Sequence, residues 1–190
     1  DCFVGVKGQG LAMHEGRIRH GHAFGYAMSP TGADHMHNYW DHEIMNDPTS
    51  ESAQGLGLYE QVDSMSLSSA KVQAYAIGSL WPWVHNMVCN CMYVPWTKEQ
   101  MIQLINAITG WRVNQYELMK TSERALVLAR LFNLREGLTS EDDHLPERYF
   151  EPVGKLAGID RNEFEQAKET YYLLMGWSRD GGIPTEAKLL

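Results

Sequence analysis

Behind Thr97 the chain places Met101, Leu104, Ile105 and Ile108 at i, i+3, i+4 and i+7, with Gln100 three residues past the threonine and Gly110 beyond the last apolar position. That is one apolar face of a helix, a capping box at its start and a glycine stop at its end. Helical spacing recurs along the chain, and the alternation that marks half-buried strands is nearly absent. The expected fold is therefore all-α. The helices are expected from Arg17 to Met28, ended by Pro30 and Gly32, from Ala33 to Met45, and from Ser68 to Val88, kinked or broken at Pro82. Further ones are expected from a Ser122 cap through Leu134, and from an Asp160–Glu163 capping box to Met175 and Gly176. Cys2 to Val6 is a short strand-like run. The stretches "NDPTSESAQGLG" and "TSEDDHLPERYFEPVG" are polar chain rich in turn formers.

Length and charge narrow the function classes. A chain of 190 residues can bury one core, or one large and one small lobe. A formal charge of −8 argues against nucleic acid as the main partner, because neutralising phosphates needs a Lys/Arg excess. No apolar run approaches the roughly 18 residues a membrane span needs. Cys2, Cys89 and Cys91 are odd in number, and the last two are too close for an easy disulfide. A reducing compartment, the cytoplasm, is the expectation. The first residue is Asp1 rather than methionine, as in a fragment. Ten Met and six Trp suggest irregular packing around something bulky, or a Met-rich core.

Six of the eight histidines lie within the first 42 residues: His14, His20, His22, His35, His37 and His42. Their i, i+2 spacings, His20/His22 and His35/His37, point the pairs to different helix faces, which argues against a histidine zinc site. A single imidazole beside Asp34 in "SPTGADHMH" is chemically more interesting, since it can take or give a proton near neutral pH. The plainer account is a histidine in the first turn of a helix. "NMVCNC", Asn86 to Cys91, offers thiolates of the kind that hold zinc or iron–sulfur clusters. Three cysteines cannot complete a four-cysteine cluster, so any cluster would draw ligands from other chain; the alternative is a buried free thiol. "FNLREGLTSEDDHLPERYFEP" sets Arg135 and Arg148 among Glu136, Glu141, Asp142, Asp143 and Glu147. It reads as an ion-pair-rich loop, each exposed pair worth about 0–1 kcal/mol.

Four segments in order, "VKGQGLAMHEGR" with "GYAMSPTGADHMH", "CMYVPW…INAITGW", "FNLREGLTSEDDHLPERYFEP" and "YYLLMGWSRDGGIPT", resemble the tungsten-containing aldehyde:ferredoxin oxidoreductases. The resemblance implies that residues 1–190 are a single C-terminal helical domain, with a loop insertion at about 46–57, of a longer catalytic chain. Its upstream domains would supply the other cluster cysteines. Implied cofactors are a tungsten bis-pterin, with molybdenum as the alternative metal, a four-iron four-sulfur cluster and a magnesium ion. Implied partners are ferredoxin or an electron-transfer subunit, an aldehyde or acid substrate, and copies of the subunit in a homo-oligomer. His35 falls at the family's active-site histidine. Thr31 falls where a pterin-binding arginine often stands, and His37 where a lysine can stand. The family's Asp-x-x-Gly-Leu-Cys reads here Asn86-Met87-Val88-Cys89-Asn90-Cys91. Cys91 keeps the cluster-ligand position and is followed by Met92, while Asn86 and Asn90 replace Asp and Leu at cofactor-facing positions. The expectation from another class is a non-catalytic helical module whose histidines and cysteines are structural or bind zinc. A third is a degenerate relative kept as a partner-binding subunit.

Overall fold

The structure, a computed structural model, describes residues 4–36, 38, 54, 57–59 and 61–190. Two two-residue strands, β1 (Gly5–Val6) and β2 (Gln9–Gly10), pair antiparallel. Their turn, Lys7-Gly8, has φ of 48° and 78°, the left-handed pair that a two-residue hairpin favours. Among the described residues the other regular elements are helices: α1 (His20–Met28), α2 (Ser69–Gly78), α3 (Leu80–Met87), α4 (Lys98–Thr109), α5 (Gln115–Arg135), α6 (Arg161–Leu174) and α7 (Glu186–Leu189). Short 3-10 turns lie at Gly16–Ile18 and Glu147–Tyr149. The mostly helical expectation holds, and no helix among the described residues is long and apolar enough to cross a membrane.

Helix α1 is the centre of the core. All nine of its residues are buried, as expected of a helix packed on every side. Phe24 meets Tyr75 of α2 and Phe164 and Tyr171 of α6 edge to face, with ring centroids 5.1, 6.0 and 5.8 Å away. A second, smaller cluster joins Val84 of α3, Met101 and Ile105 of α4 and Leu118 of α5. The apolar face expected behind Thr97 thus packs as half expected: Met101 and Ile105 are buried, while Ile108 is 75% exposed.

Several boundaries differ from the sequence reading. Thr97 and Gln100 form the reciprocal capping box, and Gly110 closes α4 at φ 73°. Ser122, however, caps nothing. It is fully buried inside α5, which begins seven residues earlier behind an Asn114–Glu117 capping box. The break between α2 and α3 falls at Ser79 rather than Pro82, which sits in the first turn of α3, where a missing N–H costs no helical bond. Asp160 caps α6, but Glu163 turns away from the box and accepts instead from Leu67 N at 2.8 Å. Residues 33–36 form bends and a turn rather than the start of a helix; residues 39–45 of that expected helix lie outside the described residues. The insertion at about 46–57 lies almost wholly outside them too.

Candidate functional site: a clamped turn carrying His35

The stretch from Ser29 to Asn38 leaves the end of α1 and is pinned at four places. Gly32 is buried at φ 87°, and a Cβ there would lie 2.2 Å from the carbonyl oxygen of Val6, so only glycine lets the turn press on the hairpin. Lys7 reaches the end of α1, its ammonium donating to the carbonyls of Ala27 and, at 2.9 Å, Ser29. Asn133, near the end of α5, donates to the carbonyl of Pro30 at 2.8 Å. Beyond His35, the buried Asn38 donates to the carbonyl of His22 at 2.9 Å and lies against Gly25, where a Cβ would overlap its amide. Within the turn, Asp34 accepts from Met36 N at 2.7 Å. The half-buried His35 therefore sits on backbone fixed from both sides, though not at a helix N-terminus.

Lys7 is held in turn by a buried ion cluster. Asp143, 1% exposed, binds Lys7 Nζ at 2.6 Å, Arg130 of α5 at 2.8 Å and the Tyr172 hydroxyl of α6 at 2.5 Å. Arg130 also donates to the carbonyl of Gly182 at 2.8 Å. Burial pushes the Lys7 ammonium below its usual range, and Asp143 works against that shift. The loop expected to be an ion-pair-rich segment thus hides its most consequential carboxylate, while the pairs Arg135–Glu136 and Arg161–Glu147 stay at the surface.

Around His35 the imidazoles gather. The ring of His14 lies 4.9 Å from that of His35 and 5.6 Å from that of His22, centroid to centroid. His22 Nε2 meets the Tyr26 hydroxyl at 3.0 Å, and that hydroxyl donates to the carbonyl of His14 at 3.4 Å. Burial raises the Tyr26 phenol, so it stays a protonated hydroxyl beside His22 Nε2. Among the described residues no group of three or more His, Cys, Asp or Glu is arranged to hold a metal.

The second motif turns back onto this segment. The Tyr93 hydroxyl reaches the sulfur of Met36 at 3.9 Å, which places the chain following Cys91 against the residue following His35. Cys89 adopts φ 53°, a left-handed conformation that costs a non-glycine residue about 1–2 kcal/mol. Asn90 donates to His85 Nδ1 and to the carbonyl of Cys91, both at 3.0 Å, so its two amide protons shape the turn rather than face a ligand. Cys91 is an exposed free thiol, Asn86 is exposed at the end of α3, and Met92 is half-buried. Thr31 is exposed, its hydroxyl 3.0 Å from that of Ser29. His37 and Cys2 lie outside the described residues. The donor chemistry fits the implied groups in part: one accessible thiol could give one ligand of four, and Thr31 and Asn86 offer neutral polar groups where the family carries charge.

Lys7, Asn38, Arg130, Asn133 and Asp143 were not singled out as functional by sequence reasoning. Their only signal was that Lys7, Asn133 and Asp143 fall within stretches that carry the resemblance.

Over residues 1–190 the chain matches the family described as "Aldehyde ferredoxin oxidoreductase, domains 2 & 3". It is 30% identical over 193 residues to a tungsten-containing aldehyde ferredoxin oxidoreductase of Pyrococcus horikoshii, covering 98% of this chain and 30% of that protein. Against the proteins of the same description from Pyrococcus abyssi and Thermococcus kodakarensis the identities are 29% and 28%, covering 98% and 96% of this chain and 30% and 29% of those proteins. The chain belongs to the aldehyde ferredoxin oxidoreductase family, a family of enzymes. It spans about 30% of the length of the curated relatives it matches.

Proposed function

We propose that these residues are one helical domain of a cytoplasmic tungstopterin and iron–sulfur oxidoreductase. Its reaction interconverts an aldehyde and a carboxylate, or is related low-potential two-electron chemistry, with electrons passing to ferredoxin or an electron-transfer subunit. When bound, the metal–pterin group supplies the two-electron oxidation or reduction and the cluster supplies single-electron exchange. This chain's part is to hold a proton and to hold the groups in place. His35 takes or gives a proton at an imidazole nitrogen, Cys91 offers a thiolate to the cluster, and Asn90 sets the turn that presents it. Thr31, His37, Asn86 and Met92 border the pterins.

The observation that carries this reading is the contact between Tyr93 and Met36, which joins the turn bearing His35 to the turn bearing Cys91. Rigid placement of a proton-transferring side chain is what such chemistry requires, and the four anchors of residues 29–38 supply it. Ile108, Trp111 and Tyr116, 75%, 63% and 70% exposed, form apolar surface that fits burial by the rest of a longer chain or by another subunit.

The test is His35→Asn in the full-length chain. Metal content and fold are expected to persist while turnover of a short aliphatic aldehyde falls about 10²–10⁴-fold, the usual reach of a positioned acid or base. Full turnover with an unchanged pH profile would return His35 to a structural role.

A further inference from the structure

We propose that His14 is the proton-exchange partner of His35, linking it to solvent through a cleft at the surface. The inference rests on the reading of His35 as the proton-holding group, and adds a residue and a route.

Three observations meet at His14. Its ring lies against that of His35, with centroids 4.9 Å apart, so a proton can pass between them directly or through one water. His14 also lines an open cleft of about 310 Å³, together with Glu15, Arg17 and the Arg148–Tyr149 turn. Its backbone is fixed from α1, because Tyr26 donates to its carbonyl. Among the described residues no other histidine lines that cleft: His22 is 1% exposed, its Nε2 3.0 Å from the Tyr26 hydroxyl.

The step balances as simple proton transfer. Protonated His35 releases its N–H proton to the lone pair of neutral His14, and His14 then passes it to water in the cleft. Two imidazolium ions at this separation repel, so the pair holds one proton more readily than two. The groups facing His14 are His22 and Tyr26 from α1, Arg19 just before α1, His35 from the turn, and Glu15, Arg17 and Arg148 around the cleft. Partial burial, then His35, then Arg19 hold the His14 imidazole below its usual range, which favours the neutral acceptor form.

Two measurements on the full-length enzyme test the proposal. The first needs no turnover: the pH dependence of His14 modification by diethyl pyrocarbonate, read by peptide mass spectrometry. The midpoint is expected to move to higher pH in His35→Asn, because a repelling neighbour is gone; an unmoved midpoint would show that the two rings are not coupled. The second is turnover of His14→Ala, whose Tyr26 contact is to backbone and survives the substitution. Turnover is expected to fall about 10²-fold and to recover substantially on adding imidazole, which can enter the open cleft. A His14→Ala enzyme with wild-type turnover, or one that imidazole cannot rescue, overturns the relay. If His35→Asn is itself fully active, what fails is the reading of His35; if His35→Asn is inactive and His14→Ala is not, only the relay fails.

Discussion

Asn133 donates its side-chain amide to the carbonyl of Pro30 at 2.8 Å, across 103 residues of sequence, and so ties the end of α5 to the turn that carries His35. A carbonyl in the Ser-Pro-Thr-Gly turn has no helical partner, so this bond substitutes for one. Asn133→Ala is expected to cost about 1 kcal/mol of stability, and Asn133→Asp more, because a carboxylate would face the carbonyl oxygen. The thermal midpoints of the two variants should rank in that order; equal midpoints would show that the bond carries no weight.

Gly32→Ala should be far more damaging than its single methyl suggests. The methyl would overlap the Val6 carbonyl, and alanine resists a φ of 87°. Amide exchange at Val6, Lys7 and Ser29 should accelerate while the centre of α1 stays protected. Uniform loss of protection would mean the effect is global rather than local.

Asp143→Asn removes the carboxylate that bridges Lys7 and Arg130. Breaking a buried pair by deleting one partner costs about 3–5 kcal/mol, since it strands charge in the interior. Tyr172→Phe removes one hydrogen bond to the same carboxylate and should cost about 1–2 kcal/mol. Comparing soluble yield and thermal midpoint of the two variants checks the ratio.

Cys89 and Cys91 should part company. Cys91→Ser in the full-length protein is expected to bleach its iron–sulfur absorbance, while Cys89→Ser leaves it. Cys89→Gly should stabilise by about 1 kcal/mol, because glycine adopts the left-handed conformation freely. Bleaching by Cys89→Ser, with Cys91→Ser harmless, would reverse the assignment.

Acid should loosen α7 first. Glu123 of α5 pairs with Lys120 and with Lys188 of α7. Burial would raise its carboxyl, but the two ammonium groups outweigh burial and hold it below its ordinary value. A depressed folded-state carboxyl stabilises fully above the unfolded value, near 4.5, and that contribution is lost as pH falls through the folded one. Amide protection at Lys188 and Leu189, measured relative to the intrinsic exchange rate at each pH, should therefore fall below about pH 4.5 in the wild type. In Glu123→Gln that protection should be low already at neutral pH and change little with acidification.

What could be read from sequence was what is local. The Thr97–Gln100 box and Gly110 lie within one helix of each other, so spacing alone located them. Ser122 shows the limit: a serine before an acidic residue looks the same whether it caps a helix or is buried within one, and only packing decides. The helix expected to start at Ala33 failed for a similar reason. The chain on either side of residues 33–36 is held by Lys7 at Ala27 and Ser29, by Asn133 at Pro30 and by Asn38 at His22, distant partners that override local preference. The pairing of His14 with His35 was equally hidden, because both lie in irregular chain where periodicity predicts no neighbour. Cys89 was read as a thiol and as a departure from the family glycine, and its positive φ explains why a glycine would suit that place.

The Lys7–Asp143 pair also sets an order of events during synthesis. Lys7 belongs to the first hairpin, whereas Asp143 follows α5, so α1 through α5 leave the ribosome before the lysine meets its counter-charge. Until then the hairpin can form only transiently, and the turn at Gly32 has nothing firm to rest on. The helices can assemble early, but the turn that carries His35 is among the last parts to set. A chain stalled before Asp143 would be helical and without its site.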